Sequence, residues 1–493
     1  MDGIVGIYGP EDGELVSKTF LATGACQHRG KASTGIAVAN KKGIHVHKGL
    51  GRIAEVIDPT IIRLFQALEP SAAIANIGYT KRKIAEKVNA EPIEVFPRFK
   101  SDLKVVVTMD GYLIKEDDLK GELEEDYSFQ TENKTEVIGA LLHKYMTHEG
   151  ISFEAGSRLI DRLDGRATFA LVALVKKKDK VYLVAVNDPK AFEPLCYARI
   201  DGAFVISSES CSHRRLNGFM EREYDGAEMT ICSPHGIEIR RLKVEPMMPD
   251  IFQGVYFGNV GSVFRGKEIF QLRRQLGLEL VDYYKSSRAD IVIPNPESGW
   301  GVSVGLAEGL DKKLCPALVK LPQAVRTFQE GERSTRSREV GLKFGGIDSL
   351  LRDKSIAMGD DSIVRGSVSE GGSIWVVYNA GAKYIEFWIS YGPMFFPSFK
   401  EWHRGRECLE ELAAQRAFKG DNPYDKSHDE IDRAVAKMIG VDEVRYNLLE
   451  RIKKVAGEGS FQALDGSYPI SEEFWPGWLK EEVERFHKYR IDG

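Results

Sequence analysis

The stretch SIAMGDDSIVRGSVS, residues 355–369, gathers residue types that handle phosphate and sugar together. Two adjacent acids, Asp360 and Asp361, close a short apolar run, and Ser362, Arg365, Gly366, Ser367 and Ser369 follow directly. A loop of small residues at the start of a helix turns its backbone N–H groups toward an anion. Hydroxyl side chains add donors there without blocking approach. Paired carboxylates repel a bare phosphate, but they suit ribose hydroxyls or a Mg²⁺ ion, which takes oxygen ligands. Phosphate at one end and sugar at the other describe a phosphorylated ribose. A solvated acidic turn is the alternative that these residues alone leave open.

The elements around the loop must place it. SIAMGDD, ADIVIPNP and YIEFWIS are short apolar runs between helical patterns, which predicts a parallel α/β sheet. Ligands of such sheets bind outside the carboxyl ends of the strands. KEIFQLRRQLGLELVDYY puts Ile269, Leu272, Leu276 and Leu280 on one helical face. The first half reads differently. GIAVANKKGIHVHKG predicts a hairpin turning at Asn40 to Gly43, and ATFALVALV–KKKDK–VYLVAVND predicts a second. LKVVVTMDGYL and AFVISSES are further strands, and TEVIGALLHKYM is a helix with Val137, Leu141 and Tyr145 on one side. Many strands with few helices predict stacked antiparallel sheets covered by helices. VEPMMPD reads as a linker, so domains are expected over 1–242 and 250–410. The tail, 411–493, reads as a charged helical extension, with Ser427 and Glu430 forming a capping box.

Bulk properties narrow the class. The chain has 493 residues, 43% of them apolar, with a net charge of −5, which argues against a general nucleic-acid binder. No run approaches the ~18 apolar residues of a membrane span, and no secretory leader is evident. The six cysteines form no C-x-x-C pair, as expected of reduced thiols in a cytoplasmic protein. Cys26 reads as a packed thiol, and His45 and His47 as solvent-facing residues on one strand face.

DDSIVRG resembles the ribose-phosphate loop of the amidophosphoribosyltransferases. GIVGIYG, QHRGKASTGIAVA, NDPKAFEPLCY, VISSES, PNPESG and VRTFQEGERSTRSREVGLK are similar to the same family, in order, over about residues 1–410. Those enzymes displace pyrophosphate from 5-phosphoribosyl 1-diphosphate (PRPP) with ammonia, in purine biosynthesis. The resemblance implies an α+β, N-terminal nucleophile hydrolase-like αββα domain of four layers. An α/β type I phosphoribosyltransferase domain with a parallel sheet would follow. Asp360 and Asp361 would bind the ribose hydroxyls. Ser362, Ile363, Val364, Arg365, Gly366, Ser367 and Ser369 would cradle the 5′-phosphate. Glu297, Ser298 and Gly299 would lie in the pyrophosphate region, and Asp360, Asp361 and Ser298 would hold Mg²⁺. Arg326 and Lys343 fall in a stretch resembling the family's lid and are its candidate catalytic groups. Three positions depart from the pattern: Gly359 replaces a branched apolar residue, Val368 a threonine, and Gly341 an arginine of the lid.

The first domain resembles the family's glutaminase, which uses a terminal cysteine thiolate with its own α-amine as base. Asp2 stands at that position. A carboxylate, ionised above pH ~3.9, is a poor nucleophile toward an amide, and the amine belongs to Met1 if that residue is kept. Gly78 stands where the resemblance implies an arginine for the glutamine carboxylate. Asp110 stands for the oxyanion-hole asparagine, and Lys134 for the aspartate that receives the amino group. A glutaminase site without function is therefore expected. The resemblance also implies iron–sulfur ligands at Asp250, Ser398, Ser460 and Ala463, none of which is cysteine, so no cluster is expected. Three functions stay open: phosphoribosyl transfer to ammonia, free or from a separate glutaminase; transfer to another amine or nucleophile; or binding of PRPP or nucleotides without catalysis. A homo-oligomer is implied by the family.

Overall fold

The computed structural model describes residues 1–10, 13–79, 86–321, 344–366 and 372–490. Arg326, Lys343, Ser367 and Ser369 lie outside the described residues, as do Gly341 and Val368. The chain forms two compact units. One comprises Met1–Asp250, Gly261–Gly266 and Pro469–Phe474; the other comprises Ile251–Val260, Lys267–Tyr468 and Trp475–Gly493.

Unit 1 is built on strands β1 (Gly3–Tyr8), β2 (Ser33–Ala39), β3 (Ile44–Leu50), β4 (Ala72–Gly78), β5 (Ile93–Glu94), β6 (Leu103–Leu113), β7 (Ala167–Lys177), β8 (Lys180–Asn187), β9 (Cys196–Ile200), β10 (Ala203–Ser207), β11 (Arg222–Glu223), β12 (Glu228–Ser233) and β13 (Gly236–Arg241). Among the described residues they make one sheet in the order β11-β9-β10-β1-β4-β2-β3 and a second in the order β13-β12-β8-β7-β6-β5. Both expected hairpins form. β2 and β3 pair from Ser33↔Leu50 to Ala39↔Ile44, and Asn40 Oδ1 accepts from the N–H groups of Lys42 and Gly43 in the turn. β7 and β8 pair up to Lys177↔Lys180.

The central strands are apolar on both faces because both faces are covered. Val106, Ala170, Val172 and Leu174 meet Ile4, Ile74 and Ile206 between the sheets. Their strand neighbours Val105, Val107, Leu171 and Ala173 meet Ile138, Leu142 and Leu159, from helices Lys134–Glu149 and Phe153–Leu163. On the far side, Val5 and Ile7 meet Val16 and Phe65, from helices Leu15–Ala25 and Pro59–Gln66. The layers are helix, sheet, sheet, helix. Gly6 lets the sheets close, since a Cβ there would lie 2.7 Å from Val172 Cγ1.

Unit 2 holds a parallel sheet whose strands run Lys313–Leu314, Ile291–Pro294, Ser355–Asp360, Tyr384–Ile389 and Glu443–Tyr446 in spatial order. Helices Ile269–Tyr284 and Trp300–Leu310 bury Leu280, Val302 and Leu306 against Val292, Ala357 and Trp388. The capping box forms as the sequence predicts: Ser427 Oγ accepts from the Glu430 N–H, and Glu430 reaches back to the Ser427 N–H. The tail is not helical alone, because Glu443–Tyr446 supplies the sheet's edge strand. Charged Glu443 and Arg445 alternate with Val444 and Tyr446 over only four residues, so no apolar run marks it.

Candidate functional site

The acid pair sits where the sheet places it, at the carboxyl end of the Ser355–Asp360 strand. That strand pairs with Ile291–Pro294 through Pro294↔Gly359, and with Tyr384–Ile389 through Asp360↔Ile389. Asp360 and Asp361 are 6% and 3% exposed. One Asp360 oxygen accepts from the Asp361 N–H at 2.8 Å and from Ser298 Oγ at 3.5 Å, and the other accepts from Asn295 Nδ2. The Ser362 hydroxyl donates to Asp361 Oδ1 at 2.5 Å. Burial, and then the neighbouring Asp361 charge, raise Asp360 well above the usual carboxylate range. Among the described residues, the hydrogen-bond donors to this carboxylate pair are neutral. Asn295, missed by the sequence reading although it lies within PNPESG, adds a second clue: its Oδ1 is buried and has no partner.

The adjoining turns are tight. A Cβ on Gly299 would lie 2.2 Å from the Gly359 carbonyl oxygen, so the turn before helix Trp300–Leu310 depends on glycine. Gly359, a departure from the family pattern, has a packing reason: a Cβ there would lie 2.4 Å from Ser303 Oγ and 3.0 Å from Leu306 Cδ1. Ile363 is buried and Val364 exposed. The Arg365 side chain is engaged by Glu401 and Glu411, at 3.3 and 3.0 Å, and Gly366 takes the left-handed backbone conformation at φ +67°. What this loop offers an anion is thus backbone rather than guanidinium. Glu297 is exposed and paired with Lys320 at 3.0 Å.

In unit 1, the residues singled out near the N-terminus converge at one end of the sandwich. Asp2 Oδ1 accepts from the Tyr79 N–H at 2.8 Å, beside Gly78, and the Asp2 N–H donates to Asp110 Oδ1 at 2.8 Å. Lys134 is directed elsewhere: it donates to the Leu113 carbonyl and pairs with Glu116 at 2.9 Å. The organising residue is one the sequence reading did not assign. Arg29 is fully buried. It donates to Asp110 Oδ2, to Glu209 Oε1 and to the Asp2 carbonyl, each at 2.7 Å. Burial alone would raise Glu209, yet the His28 hydrogen bond and the Arg29 charge hold it well below the carboxylate range. Glu91, buried nearby, is pushed up to about 7 by burial and then by the Asp2 charge. It accepts hydrogen bonds from Asn76, Thr108 and Thr135. Among the described residues no group of three or more His, Cys, Asp or Glu is arranged to hold a metal.

This is the fold of the PRPP amidotransferases: an N-terminal nucleophile hydrolase-like glutamine amidotransferase domain joined to a type I phosphoribosyltransferase domain. Two solved structures match across the chain. One is described as the allosteric regulatory enzyme of purine biosynthesis, with TM-score 0.79 and 24% identity over 96% of this chain and 97% of the other. The second is the glutamine PRPP amidotransferase of B. subtilis with ADP and GMP, with TM-score 0.79 and 24% identity over 96% and 98%. Residues 90–212 match the family model of a glutamine amidotransferase domain. In sequence the chain is similar to the amidophosphoribosyltransferase of Archaeoglobus fulgidus, at 29% identity over 96% of this chain and 98% of the relative. It is similar also to that of Methanocaldococcus jannaschii, at 27% identity over the same shares. No helix among the described residues is long and apolar enough to cross a membrane.

Two substitutions test these charge arrangements. Because folding raises the value of Asp360, its ionisation costs stability as pH rises above the unfolded value. Asp360→Asn should raise the thermal midpoint of the ligand-free protein at pH 7, since the Asn295 amide can turn its unpartnered oxygen toward the new N–H. Arg29→Met leaves Asp110 and Glu209 buried without their cation and should cost about 3–5 kcal/mol in urea unfolding. Glu209 is depressed in the folded state, so its contribution is present above the unfolded value and lost as pH falls below it. Acid should therefore destabilise the native chain more steeply than Arg29→Met.

Proposed function

We propose that the protein binds PRPP with Mg²⁺ and transfers its phosphoribosyl group to ammonia, releasing pyrophosphate, with no glutaminase activity of its own. The observation that carries this reading is the buried Asp360–Asp361 pair at the end of a parallel strand, surrounded by neutral donors. Ribose hydroxyls would donate to these carboxylates, and the backbone of 362–366 would face the 5′-phosphate. The oxygen donors Asp360, Asp361 and Ser298 fit Mg²⁺, which prefers such ligands. Bound there, Mg²⁺ would neutralise charge that builds on the departing pyrophosphate. As the C1–O bond to pyrophosphate breaks, the C1–N bond to ammonia forms. Positive charge developing on the ribose would be favoured by carboxylates held at that site.

The nitrogen has to come from outside unit 1. Asp2 offers no thiolate, and its carboxylate is occupied by the Tyr79 N–H. Asp110 turns two acceptors toward Asp2 and Arg29, where an oxyanion needs donors; one missing oxyanion donor costs ~10²–10³ in rate. Free ammonia or a separate glutaminase partner would supply the nucleophile. No iron–sulfur cluster belongs to this reading. Ser460 Oγ donates to the Ser467 carbonyl, and Ser398 caps the helix at Phe399–Arg404, both as hydroxyls rather than thiolates.

Mg²⁺-dependent pyrophosphate release from PRPP should appear with ammonium and stay at background with glutamine. Release with glutamine alone, or none with ammonium despite bound PRPP, would overturn the reading. Asp361→Ala should lower PRPP affinity at least tenfold in calorimetry.

A further inference from the structure

Six cysteines are free in the structure, and two of them meet across a long sequence distance. Cys26 follows helix Leu15–Ala25 and is fully buried. Cys211 opens helix Cys211–Arg215 and is partly exposed. Their contacts are reciprocal. Cys211 Sγ donates to the carbonyl of Ala25 at 3.6 Å, and Cys26 Sγ lies 3.2 Å from the hydroxyl of Ser212. Each thiol therefore touches the residue adjoining the other. The Cys26 thiol is raised well above its usual value, first by its hydrogen bond with the Cys211 thiol and then by burial. Cys196 and Cys408 donate to the carbonyls of Ser207 and Gly405.

We propose that Cys26 and Cys211 are a redox pair that a hydroperoxide converts into a reversible disulfide. The partly exposed Cys211 is the thiol that an oxidant reaches. Its sulfur attacks a peroxide oxygen, the O–O bond breaks, water leaves, and Cys211 becomes a sulfenic acid. The Cys26 sulfur then forms the S–S bond. The sulfenic hydroxyl departs as water with the Cys26 proton. Two thiols lose two electrons, and the peroxide gains them. A protonated, buried Cys26 suits the resolving role because it does not compete for the oxidant.

The position gives the bond a consequence. Cys26 lies three residues before Arg29, and Cys211 lies two after Glu209, so the thiols tie the two segments whose side chains meet at 2.7 Å. A bond of about 2.05 Å between the sulfurs would clamp that ion pair. It would also close a loop of well over a hundred residues in the unfolded chain, which favours the folded state.

The test uses the full, reduced protein and hydrogen peroxide at equimolar to tenfold excess. Titratable thiols should fall from six to four as two are consumed. A non-reducing peptide map should show the Cys26 and Cys211 peptides linked, the thermal midpoint should rise, and dithiothreitol should reverse all three. Cys211→Ser should keep its remaining thiols. Alkylating Cys211 in the native protein with iodoacetamide should block the link equally, whatever the variant's folding. Six surviving thiols, a Cys211 sulfinic acid, or a link between another pair would overturn the proposal.

Discussion

One buried guanidinium governs the polar end of the sheet sandwich. Arg29 spans Asp110 on β6, Glu209 after β10, and the backbone of Asp2 before β1, joining segments far apart in sequence. A charge so deeply buried is tolerated only when paired and hydrogen-bonded, and here each acid has the same cation as partner. With Arg29 in place, Asp2 and Asp110 sit at the mouth of the sandwich as satisfied acceptors. The proposal of a domain without glutaminase activity rests on this arrangement of carboxylates.

Unit 2 shows the opposite balance. Asp360 and Asp361 are as buried as Asp110 and Glu209, and burial, then the Asp361 charge, raise Asp360 well above the carboxylate range. The sheet enforces this: parallel pairing with strands on either side carries the pair to the sheet's carboxyl edge. Asp110 and Glu209 have a buried cation beside them, whereas the described donors to Asp360 are neutral. The two acid clusters differ in charge compensation.

Much of this was legible in the sequence. The apolar stretch LKVVVTMDGYL announced β6, two charged turns announced the hairpins, and short apolar runs announced the parallel strands. The apolar run before DDSIVRG announced the place of the acid pair, which ends a parallel strand as expected. What escaped depends on convergence. Nothing near Arg29 in QHRGK shows that residues 110 and 209 will meet it. Lys134 was grouped with Asp2 and Asp110, but its ammonium turns to Glu116. Gly359 was a departure from the family pattern until Ser303 accounted for the space. Asn295 lay inside a quoted motif, and only the fold shows its amide on Asp360.

The central claim is that the first domain keeps the amidotransferase fold without its chemistry. Glutamate release from glutamine, followed in the presence of PRPP and Mg²⁺, tests it most directly. The account predicts no release above the protein-free rate. It predicts none from Asp2→Cys either, because Asp110 still offers acceptors where the oxyanion needs donors. Glutamate formation by the native chain, abolished by Asp2→Ala, would contradict it.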